Sequence, residues 1–84
     1  MSNASTPAPY TGKQGQYLAY IHAYTKLHRR PPAEADMQAY FGVSPPSVHS
    51  MVLQLEQRGL IRRRAGQPRS IEVLLPPEQL PALR

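Results

Sequence analysis

Three pairs of adjacent prolines, at positions 31–32, 45–46 and 76–77, set the limits within which this chain can fold. Proline lacks an N–H and disfavours helical geometry in the residue before it, so it sits in the first turn of a helix or outside one. Pro31 and Pro32 therefore end whatever precedes them. Pro45 and Pro46 follow Ser44, a good N-cap, and read instead as a first turn. Behind them Val48, Met51, Val52 and Leu55 fall at i, i+3, i+4 and i+7, one apolar stripe. Gly59 supplies the stop, with Arg58 placed favourably for the helix dipole. Away from the stripe, the first turns present Pro46, Ser47, His49 and Ser50, a short, uncharged face that another molecule can approach closely.

The remaining elements arrange themselves around this helix. Residues 1–10 are small, polar and uncharged, and are expected to be a disordered tail. Thr11 and Gln14 have the spacing of a capping box, and Tyr17, Leu18, Tyr20, Ile21, Tyr24 and Leu27 recur with helical period to about His28. The tyrosines clustered there suit a half-buried core with hydroxyls in water better than base stacking. A shorter helix is expected over residues 33–41, apolar at Met37, Tyr40 and Phe41 and acidic in its first turn at Glu34 and Asp36. Pro32 and Ala33 offer it no side-chain acceptor, so it should depend on packing. Only Gly42, Val43 and Ser44 separate it from the next helix, the spacing of a helix-turn-helix.

After Gly59 the period changes. Leu60 and Ile61 lead into Arg62, Arg63 and Arg64, a turn forms around Gly66 and Pro68, and residues 69–75 alternate Ile71 and Val73 against Ser70, Glu72 and Leu74. A hairpin is marginal alone, so Ile61, Ile71 and Val73 should lie on the helices. Residues 76–84 read as a tail or the start of a linker. The expected fold is mainly α with a small β-hairpin, a three-helix winged helix-turn-helix over residues 11–75.

Composition narrows the function. A chain of 84 residues has no room for a deep catalytic cleft, and the absence of cysteine removes thiolate nucleophiles, disulfides and zinc-finger ligands. No apolar run reaches membrane-spanning length and no signal segment opens the chain, so a cytoplasmic, nucleoid-associated location is expected. His22, His28 and His49 lack metal-ligand spacing, and the five acidic residues include no paired carboxylates near a histidine. No enzyme activity, cofactor, metal or small-molecule substrate is expected. Net charge is +5, and Arg58, Arg62, Arg63, Arg64 and Arg69 crowd one short stretch, so a polyanion is the natural partner.

These features together point to sequence-specific binding of double-stranded DNA in the major groove. Pro46, Ser47, His49 and Ser50 are the expected base-reading positions, and Ser44, Arg62, Arg64, Arg69, Arg29 and Arg30 the expected phosphate contacts. Strand alternation places Arg62 and Arg64 on one face and Arg63 on the other. Each candidate has an ordinary structural reading beside it. Ser44 and Pro45 would start a helix in any protein, and charged strand edges commonly guard against aggregation. Leu53 lies off the apolar stripe and suits a partner or dimer contact or an exposed leucine. The alternative function is a protein–protein adaptor winged helix without DNA binding, against which the basic wing argues.

The residues also carry a resemblance, gapless from Thr11 through Leu74. The Thr-x-x-Gln cap, the Pro31-Pro32 pair, Glu34 to Gly42, Ser44-Pro45, Leu55 to Ile61 with Arg58-Gly59, and Gly66, Arg69 and Ile71 in the wing together resemble the amino-terminal DNA-binding domain of the LexA repressor family. The resemblance implies three helices and a wing, with the third helix in the major groove as a repressor. At Pro46, Ser47, His49 and Ser50 the chemistry departs from the family's amide and acidic residues, so the family's operator does not carry over. The family's carboxy-terminal self-cleaving protease and dimerisation domain has no counterpart, so no serine-lysine protease is expected. A homodimer on a palindromic site would then form through other contacts or on DNA.

Overall fold

In the computed structural model, which describes residues 9–84, the chain runs α1 (Gly12–His28), α2 (Glu34–Phe41), α3 (Pro45–Gln57), β1 (Ile61–Arg62), β2 (Glu72–Val73) and a 3-10 turn at Pro77–Gln79. Each helix starts where its sequence provides for it. Thr11 and Gln14 close both halves of a capping box on α1, with their reciprocal bonds at 3.0 and 3.1 Å. Ser44 accepts the Ser47 N–H at the head of α3, with Pro45 and Pro46 in the first turn. The start of α2 departs from expectation: although Ala33 has no capping side chain, its N–H donates to the Asp36 carboxylate at 2.8 Å. The acid three residues on therefore supplies what the cap residue lacks.

The buried core joins all of these elements. Leu18 and Ile21 of α1, Met37 of α2, Val48, Val52 and Leu55 of α3, and Leu60, Ile61 and Ile71 of the hairpin region are all buried. Aliphatic side chains of this size each contribute about 1.5–3 kcal/mol on burial, which a two-strand ribbon cannot gain by itself. Tyr17 stacks on Phe41 with ring centroids 4.2 Å apart, closing α1 onto α2. Tyr17 is thus fully buried, while Tyr20 and Tyr24 are half-buried as expected. Leu27 was expected to continue the apolar face and does not. It is 76% exposed, because α1 runs past the edge of the core in its last turn.

β1 and β2 pair antiparallel, Ile61 opposite Val73 and Arg62 opposite Glu72. The second strand is much shorter than residues 69–75 suggested, for two local reasons. Arg69 lies at φ 58°, in the left-handed region where a strand cannot continue. Ser70 then folds its side chain back: its hydroxyl donates toward the carbonyls of Gln67 (2.9 Å) and Arg64 (3.2 Å) and accepts the Arg64 N–H (2.9 Å). The residues between the strands form a closed loop and not a longer ladder.

Arg69 holds that loop against the helices. Its Nη1 donates to the Asp36 carboxylate at 2.9 Å and to the Tyr24 hydroxyl at 3.0 Å, so α1, α2 and the wing meet at one guanidinium. Asp36 thereby serves both the start of α2 and the seat of the wing. The Ala33 N–H, and then the Arg69 charge, hold its carboxyl below the usual carboxylate range against the opposing pull of desolvation.

The expected termini also differ. Residues 1–8 of the predicted tail lie outside the described residues, but Tyr10 packs on the core and its hydroxyl donates to the Gln79 carbonyl at 2.6 Å. The segment 76–84, expected as a tail or linker start, is laid against α1: the Gln16 amide donates to the Ala82 carbonyl at 3.0 Å and accepts the Arg84 N–H at 2.8 Å. Leu80 also packs against the core. Proline-rich composition reads as a linker only when nothing receives it, and here α1 does.

Two outcomes follow from this architecture. Gly42, between α2 and α3, has φ 66° with open space around its missing Cβ. Gly42→Ala should therefore cost about 1–2 kcal/mol through backbone conformation alone, measured by urea unfolding. A neutral result would mean that the turn relaxes into another conformation. A carboxylate whose folded pKa is depressed stabilises fully above its unfolded value, and that stabilisation is lost as pH falls through the folded one. Asp36→Asn should lower the urea midpoint at neutral pH and flatten its fall on acidification. Adding Arg69→Gln should cost less than the sum of the two single substitutions, since both remove the Asp36–Arg69 pair. Unchanged unfolding at neutral pH would dismiss the pin.

Candidate nucleic-acid interface

The apolar stripe of α3 is wholly committed to the core, and this decides which face is left over. Val48, Val52 and Leu55 are buried, while Pro46, Ser47, His49 and Ser50 are all exposed. All four expected base-reading positions thus share one solvent face at the helix's N-terminal end. Their hydroxyls and ring are partly oriented by neighbours. The Ser44 and Ser47 hydroxyls lie 3.0 Å apart, and Gln54 Nε2 donates to the Ser50 hydroxyl at 3.4 Å. Gln54 in turn accepts from Gln14 at 3.4 Å, a long contact from a buried amide on α1. Ser50 therefore keeps its own O–H free to donate outward.

His49 carries the other orienting contact. Its Nδ1 lies 3.4 Å from a carboxylate oxygen of Glu34, the first residue of α2, with both side chains substantially open to solvent. Glu34 also borders the cavity formed with Gly66, Gln67, Pro68, Arg69 and Ser70 of the wing loop. One acidic side chain thus stands between the exposed face of α3 and the wing, and places them side by side. Neither Glu34 nor Gln54 was legible as a site residue: one looks like a helix-dipole acid and the other like an exposed polar residue on α3. Gln14 was read only as a cap.

Ser44 is exposed at the head of α3, and the arginines expected at phosphates divide into three groups. Arg64 is exposed and makes no ion pair among the described residues, and the same holds for Arg29 and Arg30 at the end of α1. Arg30 leads directly into Pro31, which borders Arg64 and Gln67 in the groove between α1 and the wing. Arg62 is exposed and reaches across the hairpin to Glu72 at 2.8 Å, an open surface pair of small net strength. Arg63 points the other way, half-buried, to Glu56 at 3.2 Å, as alternation requires. Arg69 corrects the expectation. Its place among the basic residues of the wing suggests a phosphate contact, whereas its guanidinium turns inward onto Asp36 and Tyr24 from a left-handed backbone.

Three of the five acidic residues stand in ion pairs with arginine, Asp36 with Arg69, Glu56 with Arg63 and Glu72 with Arg62, and a fourth, Glu34, lies against the His49 ring. The net positive charge therefore resides in arginines and lysines that face solvent. Leu53 remains exposed at 38%, with no packing role to account for it. Among the described residues no group of three metal-ligating side chains converges, and no helix is long and apolar enough to cross a membrane.

Comparison with known proteins agrees with the geometry. The LexA DNA binding domain family matches residues 8–70. Over 64 residues the chain is 42% identical to the LexA repressor of Exiguobacterium sibiricum, a match covering 75% of this chain and 31% of that protein. It is 37% identical over 71 residues to the LexA repressor of Ruegeria sp., and 34% identical over 71 residues to that of Bartonella quintana. Both matches cover 83% of this chain and 30% of the relative, so the chain spans about a third of the length of the repressors it matches. With three helices, a two-stranded wing and a family match over most of its length, this chain belongs to the LexA DNA-binding domain family.

Proposed function

We propose that this domain reads duplex DNA sequence-specifically with the N-terminal half of α3 and acts as a transcriptional repressor of cytoplasmic, nucleoid-bound DNA. The observation that carries the reading is the exposed, uncharged face of Ser47, His49 and Ser50 beside a wing bearing unpaired arginine. A helix in the major groove meets base edges that offer both donors and acceptors. Ser47 and Ser50 hydroxyls suit either, and His49 suits guanine N7 or O6. Pro46 brings the backbone close without competing for a hydrogen bond. Each good contact discriminates by about 1 kcal/mol or more.

Affinity comes from elsewhere. Ser44 and the first-turn amides of α3 suit a phosphate oxygen, which orients the helix without reading sequence. Arg64, Arg29 and Arg30 are free to meet phosphates, and Arg62 can exchange Glu72 for one at small cost. Four such contacts correspond to a slope of log K on log salt of about −3.6 per domain. The domain is a binding module and not an enzyme, and a palindromic operator would seat two copies one helical turn apart.

Selection of bound sites from a random duplex pool tests the assignment. His49→Ala should change which sequences are recovered. Arg64→Ala should recover the same sequences, weaken all of them alike and flatten the salt slope by about 0.9. The opposite pattern would mean that reading and anchoring have been assigned to the wrong elements. Absence of salt-dependent binding at low ionic strength would reject the DNA reading in favour of a protein partner.

A further inference from the structure

A helix lying in the major groove is bordered by phosphates on both sides, and the wing accounts for only one of them. On the other side of the exposed α3 face lies the head of α1. Lys13 lines one surface groove with Ser47 and Ser50 of α3, and a second with Tyr40, Val43 and Arg84. Lys13 is thus common to the groove beside Ser47 and Ser50 and to the groove that holds Arg84, the end of a segment that composition alone assigned to a tail.

How that segment is held is the informative part. Every hydrogen bond that fastens residues 79–84 uses its main chain. The Gln79 carbonyl accepts from Tyr10, the Ala82 carbonyl from Gln16, the Arg84 N–H donates to Gln16, and the Arg84 carbonyl accepts from Tyr40 at 3.2 Å. The Gln16 amide thus bonds residues 82 and 84 as a neighbouring strand would, a pairing indifferent to their side chains. Gly15 makes the approach possible, since a Cβ there would come within 3.0 Å of Pro81 and 2.8 Å of the Tyr10 ring. The Arg84 guanidinium takes no part in the docking, and neither it nor Lys13 joins an ion pair among the described residues.

We propose that residues 77–84 are a docked strap whose purpose at the interface is to deliver Arg84, beside Lys13, to the DNA phosphates on the side of α3 opposite the wing. The strap rests on the major-groove reading above and extends it: the duplex is gripped from two sides, with Gln16 as the positioning residue and Arg84 as the contact. Because docking uses the backbone, Arg84→Ala leaves the strap in place and removes only the charge.

The test is a salt titration of binding to one duplex by the unsubstituted domain, Arg84→Ala, Arg84→Lys, Gln16→Ala and the Gln16→Ala/Arg84→Ala double variant, with Arg64→Ala as the wing control. Arg84→Ala should weaken binding several-fold, flatten the slope by about 0.9 and leave the thermal midpoint unchanged. Gln16→Ala should produce most of the same loss, together with faster amide exchange at Arg84, and the double variant should lose no second contact. Arg84→Lys should restore the slope. If Arg84→Ala keeps the original slope while Arg64→Ala flattens it, the strap is not at the interface and the wing reading survives. If neither substitution moves the slope, both readings fall. A double variant that loses two contacts would separate Gln16 from Arg84 and overturn its positioning role.

Discussion

The ion pair between Asp36 and Arg69 is the polar interaction that sets the wing loop against the helices. Helix bundles of this size have core enough to fix how three helices cross, but a two-residue ribbon has little of its own with which to choose a direction. One carboxylate settles the matter by accepting from the head of α2 and from the arginine that closes the wing loop, while Tyr24 supports that arginine from α1. The arginine keeps an uncommon backbone conformation to do this. A cation at this position looks, on charge alone, like one more phosphate contact, yet its work lies inside the molecule, orienting the cations that stay outside.

The helices were legible because their signals are local. Thr11 with Gln14, Ser44 with two prolines, and the stripe from Val48 to Leu55 each specify a boundary or a face within a few residues, and each is found where those residues require. What composition could not disclose depended on partners far along the chain. Arg69 meets Asp36 across 33 positions, and Gln16 meets Ala82 across 66. Neither Leu27 nor the proline-rich end carries a local mark of what lies beside it. The one miss with a local remedy is the start of α2, where an acid three residues after Ala33 is half of a capping box without its serine.

The candidate site shows the same division. Exposure of Pro46, Ser47, His49 and Ser50 follows from helical period alone once the apolar stripe is known. The groups that aim them do not follow from it. Glu34 against His49, and Gln14 through Gln54 to Ser50, come from other helices and are visible only once α1, α2 and α3 are packed.

The exposed face of α3 has a further property. It contributes nothing to the buried stripe, its helix is started by Ser44 and by prolines at fixed positions, and its outward contacts are long and open to water. Exchanges at solvent-facing positions of this sort usually alter stability by less than about 0.5 kcal/mol. Positions 47, 49 and 50 are thus free to drift in sequence while the scaffold stands still, and under the proposed function one unchanged body can acquire new binding preferences through very few codon changes, each tolerated on the day it arises.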